Sequence, residues 1–261
     1  MAPVTSERPA RPTGPGLAAL MAIGAVLIKL KWVLTALKLG KFTTMFASMI
    51  VSVAVYAMMF GWPFAVGFIG LLFIHEMGHA AVLKARGIAA GAPVFIPLFG
   101  AAITMRQHPP DAETEAAVGI GGPIAGTAAA SLCWGVFLMT GSAFWCALAY
   151  TGFFLNLFNL LPVSPLDGGR VAGAISRWLW IPGLLLLGVS LWLRFSPILV
   201  LVAILGLMQL GGEFRRPATE RARYYDVPFG ARVRIAVLYF GLALFLGYAS
   251  LASHDVLLRL T

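Results

Sequence analysis

The chain has 261 residues, of which 60% are hydrophobic and only 11% charged, with a mean hydropathy of +0.89. That balance excludes an ordinary soluble domain and leaves a polytopic membrane protein embedded in a lipid bilayer. The formal charge of +9 does not point to nucleic acid, because the Lys and Arg residues flank apolar segments as the positive-inside rule expects.

Residues 1–16, rich in Pro and polar groups, read as a flexible tail, and residues 17–261 as a single transmembrane domain. The apolar run 17–28 is short for a crossing of about 20 residues and leads into Lys29, Lys31, Lys38 and Lys41, so an interfacial or partly inserted helix is expected there. No charge occurs from Phe42 to Ile74, which suits two helices, about 42–60 and 64–84, split at Gly61-Trp62-Pro63.

Residues 94–105 are apolar but too short to span, and they contain Pro97 and Gly100. A re-entrant strand pair is the preferred reading, with a buried loop or a piece of ordinary helix as the alternative. After a polar loop, Arg106 to Glu115, two further spans are expected at Ala116–Thr140 and from Phe144 to about Pro165, joined by Gly141-Ser142. Residues 182–193 and 197–212 read as a hairpin, shallow because its first arm is short. A basic stretch, Glu213 to Arg234, precedes a last span at Ile235–Ala252. The fold expected is therefore all-α with about six transmembrane helices and a short membrane-embedded strand pair. Placing Lys29–Lys41, Lys84, Arg86, Arg170, Arg177 and Arg215–Arg234 on the cytoplasmic side requires alternate crossings. Cys133 and Cys146 lie in apolar segments and imply no disulfide framework.

His75-Glu76-Met77-Gly78-His79 falls on the second half of the expected 64–84 helix. An i, i+4 pair puts both imidazoles on one helical face, where two neutral nitrogens can meet one metal ion. Glu76 is then placed to act as general base on a water at that metal, the H-E-x-x-H arrangement of zinc proteases. A catalytic zinc takes three protein ligands, so a third is missing. Of the ten acidic residues only Glu76 and Asp167 fall at membrane-embedded positions. Asp167, before Gly168 and Gly169, is a candidate for that ligand, with a helix N-cap as its other reading. Gly121-Gly122-Pro123-Ile124-Ala125-Gly126 reads as close helix packing. His108 and His254 lack ligand spacing and read as solvated bystanders.

HEMGH together with Asn159-Leu160-Leu161-Pro162-Val163-Ser164-Pro165-Leu166-Asp167-Gly168-Gly169 resembles the site-2 protease family of intramembrane zinc metalloproteases, in the short prokaryotic form without appended domains, with a catalytic core at about 64–180. The resemblance implies that Asp167 joins His75 and His79 on one Zn2+ per chain. It implies also that Asn159 hydrogen-bonds the substrate backbone, while Asn156, one turn earlier, reads as interhelical hydrogen bonding. The substrates implied are single-span membrane proteins in a prokaryotic cytoplasmic membrane. Eight residues from Glu76 to Lys84 are about 12 Å of helix, which sets the active site nearer the cytoplasmic face. A metal-ion transporter with His75, Glu76, His79 and Asp167 as transit ligands, or an inactive scaffold that binds membrane helices, is the competing reading.

Overall fold

The computed structural model describes residues 41–105, 107–193 and 195–260, without the side chains of Lys41 and Phe214. The tail expected at 1–16 and the short apolar run at 17–28 lie outside the described residues.

Helices α1 (Lys41–Phe60) and α2 (Trp62–Ala85) break where expected. Gly61 adopts φ +82 as the N-cap of α2, and Pro63 follows in the first turn, where its missing N–H costs nothing. The segment expected to form strands does so: β1 (Ala90–Ile96) and β2 (Gly100–Met105) pair antiparallel, with Phe95 opposite Ala101 and Pro93 opposite Ile103. The outer edge of β1 is held by α1. Phe95 N–H donates to Ser48 Oγ at 3.1 Å, Ser48 in turn donates to Met45 O at 2.8 Å, and Leu98 N–H donates to Tyr56 OH at 3.2 Å. Ser48 and Tyr56 are eight residues apart, which places them near one another in azimuth on α1.

Helix α3 (Ala112–Thr140) starts four residues before the expected Ala116. Asp111 is the cause, since its carboxylate accepts from Thr114 N–H at 2.7 Å, and Glu113 and Glu115 sit in the first turn, where acidic groups suit the helix dipole. Gly141 ends α3 in the left-handed conformation, φ +66, and α4 (Ala143–Asn159) follows after Ser142. Helix α4 is shorter than the segment to Pro165 that the apolar run suggests. Leu160 is its C-cap, and the prolines at 162 and 165 interrupt the next turn. Then come α5 (Asp167–Ile175), a 3-10 turn at Arg177–Leu179, the hairpin α6 (Trp180–Leu193) and α7 (Pro197–Arg215), α8 (Ala218–Tyr224), and α9 (Phe229–Leu260).

Among the described residues, four helices are long and apolar enough to cross a membrane, α1, α2, α3 and α9, with a fifth span if α7 and α8, bent by 112°, count as one. The expected count of about six is not reached on this measure because α4 has 17 residues and α6 has 14, short of the ~20 that cross a bilayer upright. The outward faces are apolar, as a lipid-facing surface requires: Met58, Trp192 and Leu244 are each largely exposed.

The core lies where α3, α4, α5 and α9 meet, around Ala116, Ile120, Ala149, Phe153, Val171 and Leu246. Tyr239 of α9 donates its hydroxyl to Leu160 O at 2.6 Å and so ties the end of α4 to the last helix. Tyr239→Phe leaves that carbonyl without its donor and is expected to cost about 1–3 kcal/mol, read as a lower unfolding temperature in detergent.

Candidate metal centre

His75 and His79 leave α2 on one face and are both buried, and Asp167 reaches them from the first residue of α5. The N-cap reading of Asp167 is corrected: Leu166 is the N-cap, and the Asp167 carboxylate points at the two imidazoles. Asp167 Oδ2 stands 3.1 Å from His75 Nε2 and 3.2 Å from His79 Nε2, and the two Nε2 atoms are 3.1 Å apart.

The other nitrogen of each ring decides what this triangle is. His79 Nδ1 is 2.7 Å from Val118 O, a carbonyl that can only accept, so Nδ1 carries the proton. His75 Nδ1 is 2.8 Å from Asn156 Oδ1, while Asn156 Nδ2 donates to Gly152 O at 2.7 Å; the amide is thereby oriented with its oxygen towards the ring, and His75 Nδ1 is also the donor. In the neutral rings both Nε2 atoms are then bare lone pairs, facing each other and a carboxylate oxygen. Three acceptors so close repel one another unless a cation lies among them. Donors about 2.0–2.1 Å from one tetrahedral ion stand about 3.3–3.4 Å apart, close to the three separations found. The set therefore fits a four-coordinate ion of the zinc type, and the three residues could hold one.

Glycines make the space. A Cβ on Gly122 would overlap His79 Nε2 and His75 Nε2, so the residue facing the convergence of the two nitrogens has no side chain. A Cβ on Gly78 would overlap Gly121 O, and one on Gly126 would overlap the Asn156 amide. The packing expected of Gly121–Gly126 is present, and it brings α3 against both ligand-bearing α2 and the Asn156 side chain. Gly168 and Gly169 similarly let α5 lie on the backbone of the Leu160–Ser164 turn, which is how Asp167 arrives at the site.

A cleft of about 510 Å³ opens onto this centre. Glu76, buried in α2 beside His75, lines it, as do Asn159 at the end of α4, Arg170 of α5 and the β2 residues Ala101, Ala102 and Ile103. The structure thus brings His75, Glu76, His79, Asp167 and Asn159 to one place. Asn156 forms the interhelical hydrogen bond expected of it, but its partner is a ligand-type histidine, a consequence its position in the sequence did not disclose. His108 lines a second, polar cavity with Glu115 and Tyr224, and His254 packs on the Tyr150 ring at 5.1 Å; neither joins the His75, His79 and Asp167 cluster.

A mostly helical membrane protein with a buried His-His-Asp cluster, a glutamate in the adjoining cleft and a two-stranded sheet on the cleft wall is the class defined by this geometry. Residues 63–142 and 139–181 match the model of peptidase family M50, and the likeness to the site-2 proteases drawn from HEMGH and the Leu166-Asp167-Gly168-Gly169 motif is borne out over that segment. A zinc metalloprotease of Methanocaldococcus jannaschii is 35% identical across 40% of this chain and 33% of its own length. The Arabidopsis thaliana protein named "Probable zinc metalloprotease EGY1, chloroplastic" is 28% identical across 59% of this chain and 34% of its own. The chain thus spans about a third of the length of these relatives.

Proposed function

We propose that this protein is an intramembrane zinc metallopeptidase that hydrolyses peptide bonds within or near the transmembrane segments of single-span membrane proteins. The observation that carries the reading is the triangle of three potential donor atoms, His75 Nε2, His79 Nε2 and Asp167 Oδ2, each pair 3.1–3.2 Å apart, beside the Glu76 carboxylate in one cleft. His75, His79 and Asp167 hold one zinc per chain, and zinc bound there supplies Lewis acidity to the scissile carbonyl and acidity to a water molecule. Glu76 takes a proton from the attacking water and delivers it to the leaving amine nitrogen. Asn159, on the cleft wall, hydrogen-bonds the substrate backbone next to the scissile bond.

A helical substrate must unwind before attack, and its freed backbone groups need partners where water is scarce. The hairpin supplies them by strand addition, at the edge of β2. The β1 edge already gives Phe95 N–H to Ser48, whereas β2 residues line the cleft and their outer edge pairs with no other strand among the described residues. In an antiparallel pair the residue opposite an outward-facing position also faces outward, so Ala101, opposite Phe95, and Ile103, two residues on, present their N–H groups to the cleft. Ile103→Pro removes one such donor and no hairpin bond. Cleavage is expected to fall about tenfold or more, the equivalent of roughly 1.4 kcal/mol in transition-state binding, with zinc content unchanged; undiminished cleavage would rule out strand addition at β2.

With α1, α2, α3 and α9 crossing the bilayer, the 17-residue α4 carries the chain back after α3 where the bilayer thins around it, and the α6–α7 hairpin returns to the side it left, so that Lys84, Arg86, Arg170, Arg177 and Arg215–Arg234 fall on one face. That face is the cytoplasmic side of a prokaryotic cell membrane, with the metal centre nearer to it. Mapping of product termini by mass spectrometry, after incubation with a panel of single-span substrates in detergent, tests the reading. Cuts within or beside the apolar segment are expected, and cuts confined to soluble tails would contradict it.

A further inference from the structure

We infer that Asn156 is a positioning residue for the metal centre, fixing His75 in the one tautomer and ring orientation that presents Nε2 to the ion. Three contacts carry this. The Asn156 amide is locked from within its own helix by the 2.7 Å bond from Nδ2 to Gly152 O, and it is 2% exposed, so no water competes for it. Its oxygen, thus directed, takes the proton of His75 Nδ1 at 2.8 Å. Gly126 of α3 leaves the space in which the amide sits, since a Cβ there would overlap both Oδ1 and Nδ2.

The two imidazoles are oriented by different means. His79 is held by a main-chain acceptor, Val118 O, which no substitution at 118 removes. His75 depends on a side chain from another helix. Without Asn156, His75 Nδ1–H is a buried donor with no acceptor, and the ring recovers a partner only by moving its proton or turning away, either of which takes Nε2 out of the triangle. Asn156 thus couples the α2–α4 packing to the donor set. Outer-shell partners of ligating histidines are typically worth 10–100-fold in metal affinity.

The inference rests on the zinc reading above. The test is zinc affinity of the full chain in detergent, by competition with a chromophoric chelator, together with the visible spectrum of the Co2+-loaded protein and the unfolding temperature of the metal-free protein. Asn156→Leu is expected to weaken zinc by about 10–100-fold and to shift the Co2+ spectrum. Gly126→Ala, which displaces the amide without replacing it, acts in the same direction. Asn156→Asp, which keeps an acceptor towards His75 Nδ1 but loses the donor to Gly152 O, is expected to lose clearly less zinc affinity than Asn156→Leu. If Asn156→Leu binds zinc as the wild type does while the metal-free protein unfolds at a lower temperature, Asn156 only joins two helices and the inference is overturned. An equal loss in Asn156→Leu and Asn156→Asp overturns it as well, because the acceptor is then not what matters. A wild type that binds no zinc overturns the zinc reading itself, a different failure.

Discussion

Glu76→Gln is expected to abolish cleavage while leaving zinc in place. Glutamine has nearly the same size and remains buried at the same point of α2, but it cannot accept a proton at neutral pH. General-base contributions of this kind are typically worth 10²–10⁴-fold, and a loss in that range, in the turnover rate and not only in substrate affinity, is the outcome to look for in single-turnover assays. Because Glu76 is not one of the three clustered donors, zinc content stays at one per chain. A metal-ion transit site would behave otherwise: Glu76→Gln would leave zinc in place and there would be no hydrolysis to lose.

Gly122→Ala is expected to empty the metal centre. The added methyl group would overlap both Nε2 atoms, and α3 cannot readily retreat from α2, because its other faces pack against α4, α5 and α9 in the core around Ala116, Ile120 and Ala130, and Gly126 is held against Asn156. Ligand rings forced off their rotamers lose the convergence that holds an ion, and overpacking at such contacts commonly costs 1–3 kcal/mol in its own right. Zinc affinity should fall by more than about 100-fold, beyond the usual range for outer-shell changes, and cleavage should fall with it. Zinc retained at wild-type affinity in Gly122→Ala would mean that the ion is held elsewhere.

The parts of this site that could be read in the sequence are those whose geometry is local. His75 and His79 share a helical face whatever surrounds them, and Glu76 follows from the same spacing. The break at Gly61-Trp62-Pro63 and the strand pair around Pro97 and Gly100 were legible for a similar reason, since proline and glycine act on their own stretch of backbone. Asp167 needed the family resemblance, because its arrival beside the histidines depends on how α5 settles on the Leu160–Ser164 turn.

The role of Asn156 and the position of Gly122 under the ligand nitrogens were not legible. Both depend on the rotation of α3 and α4 about their axes relative to α2, which no periodicity in a uniformly apolar helix records. The start of α3 was readable in principle from Asp111 as an N-cap, but the charges around it look equally like a loop. The count of about six spans is not confirmed among the described residues, where four helices are long and apolar enough to cross; the apolar run at Leu160–Pro165 continues past the end of α4, because hydropathy registers apolarity and not the turn that interrupts it.

One zinc, held by His75, His79 and Asp167, is expected to make this membrane protein a peptidase. Titration of zinc into metal-stripped protein in detergent, with cleavage of a single-span substrate as the readout, tests it most directly. Cleavage should rise with zinc to a plateau at one equivalent per chain and be absent at every zinc level in Asp167→Ala. Cleavage that persists without metal, or full zinc-dependent cleavage in Asp167→Ala, would contradict it.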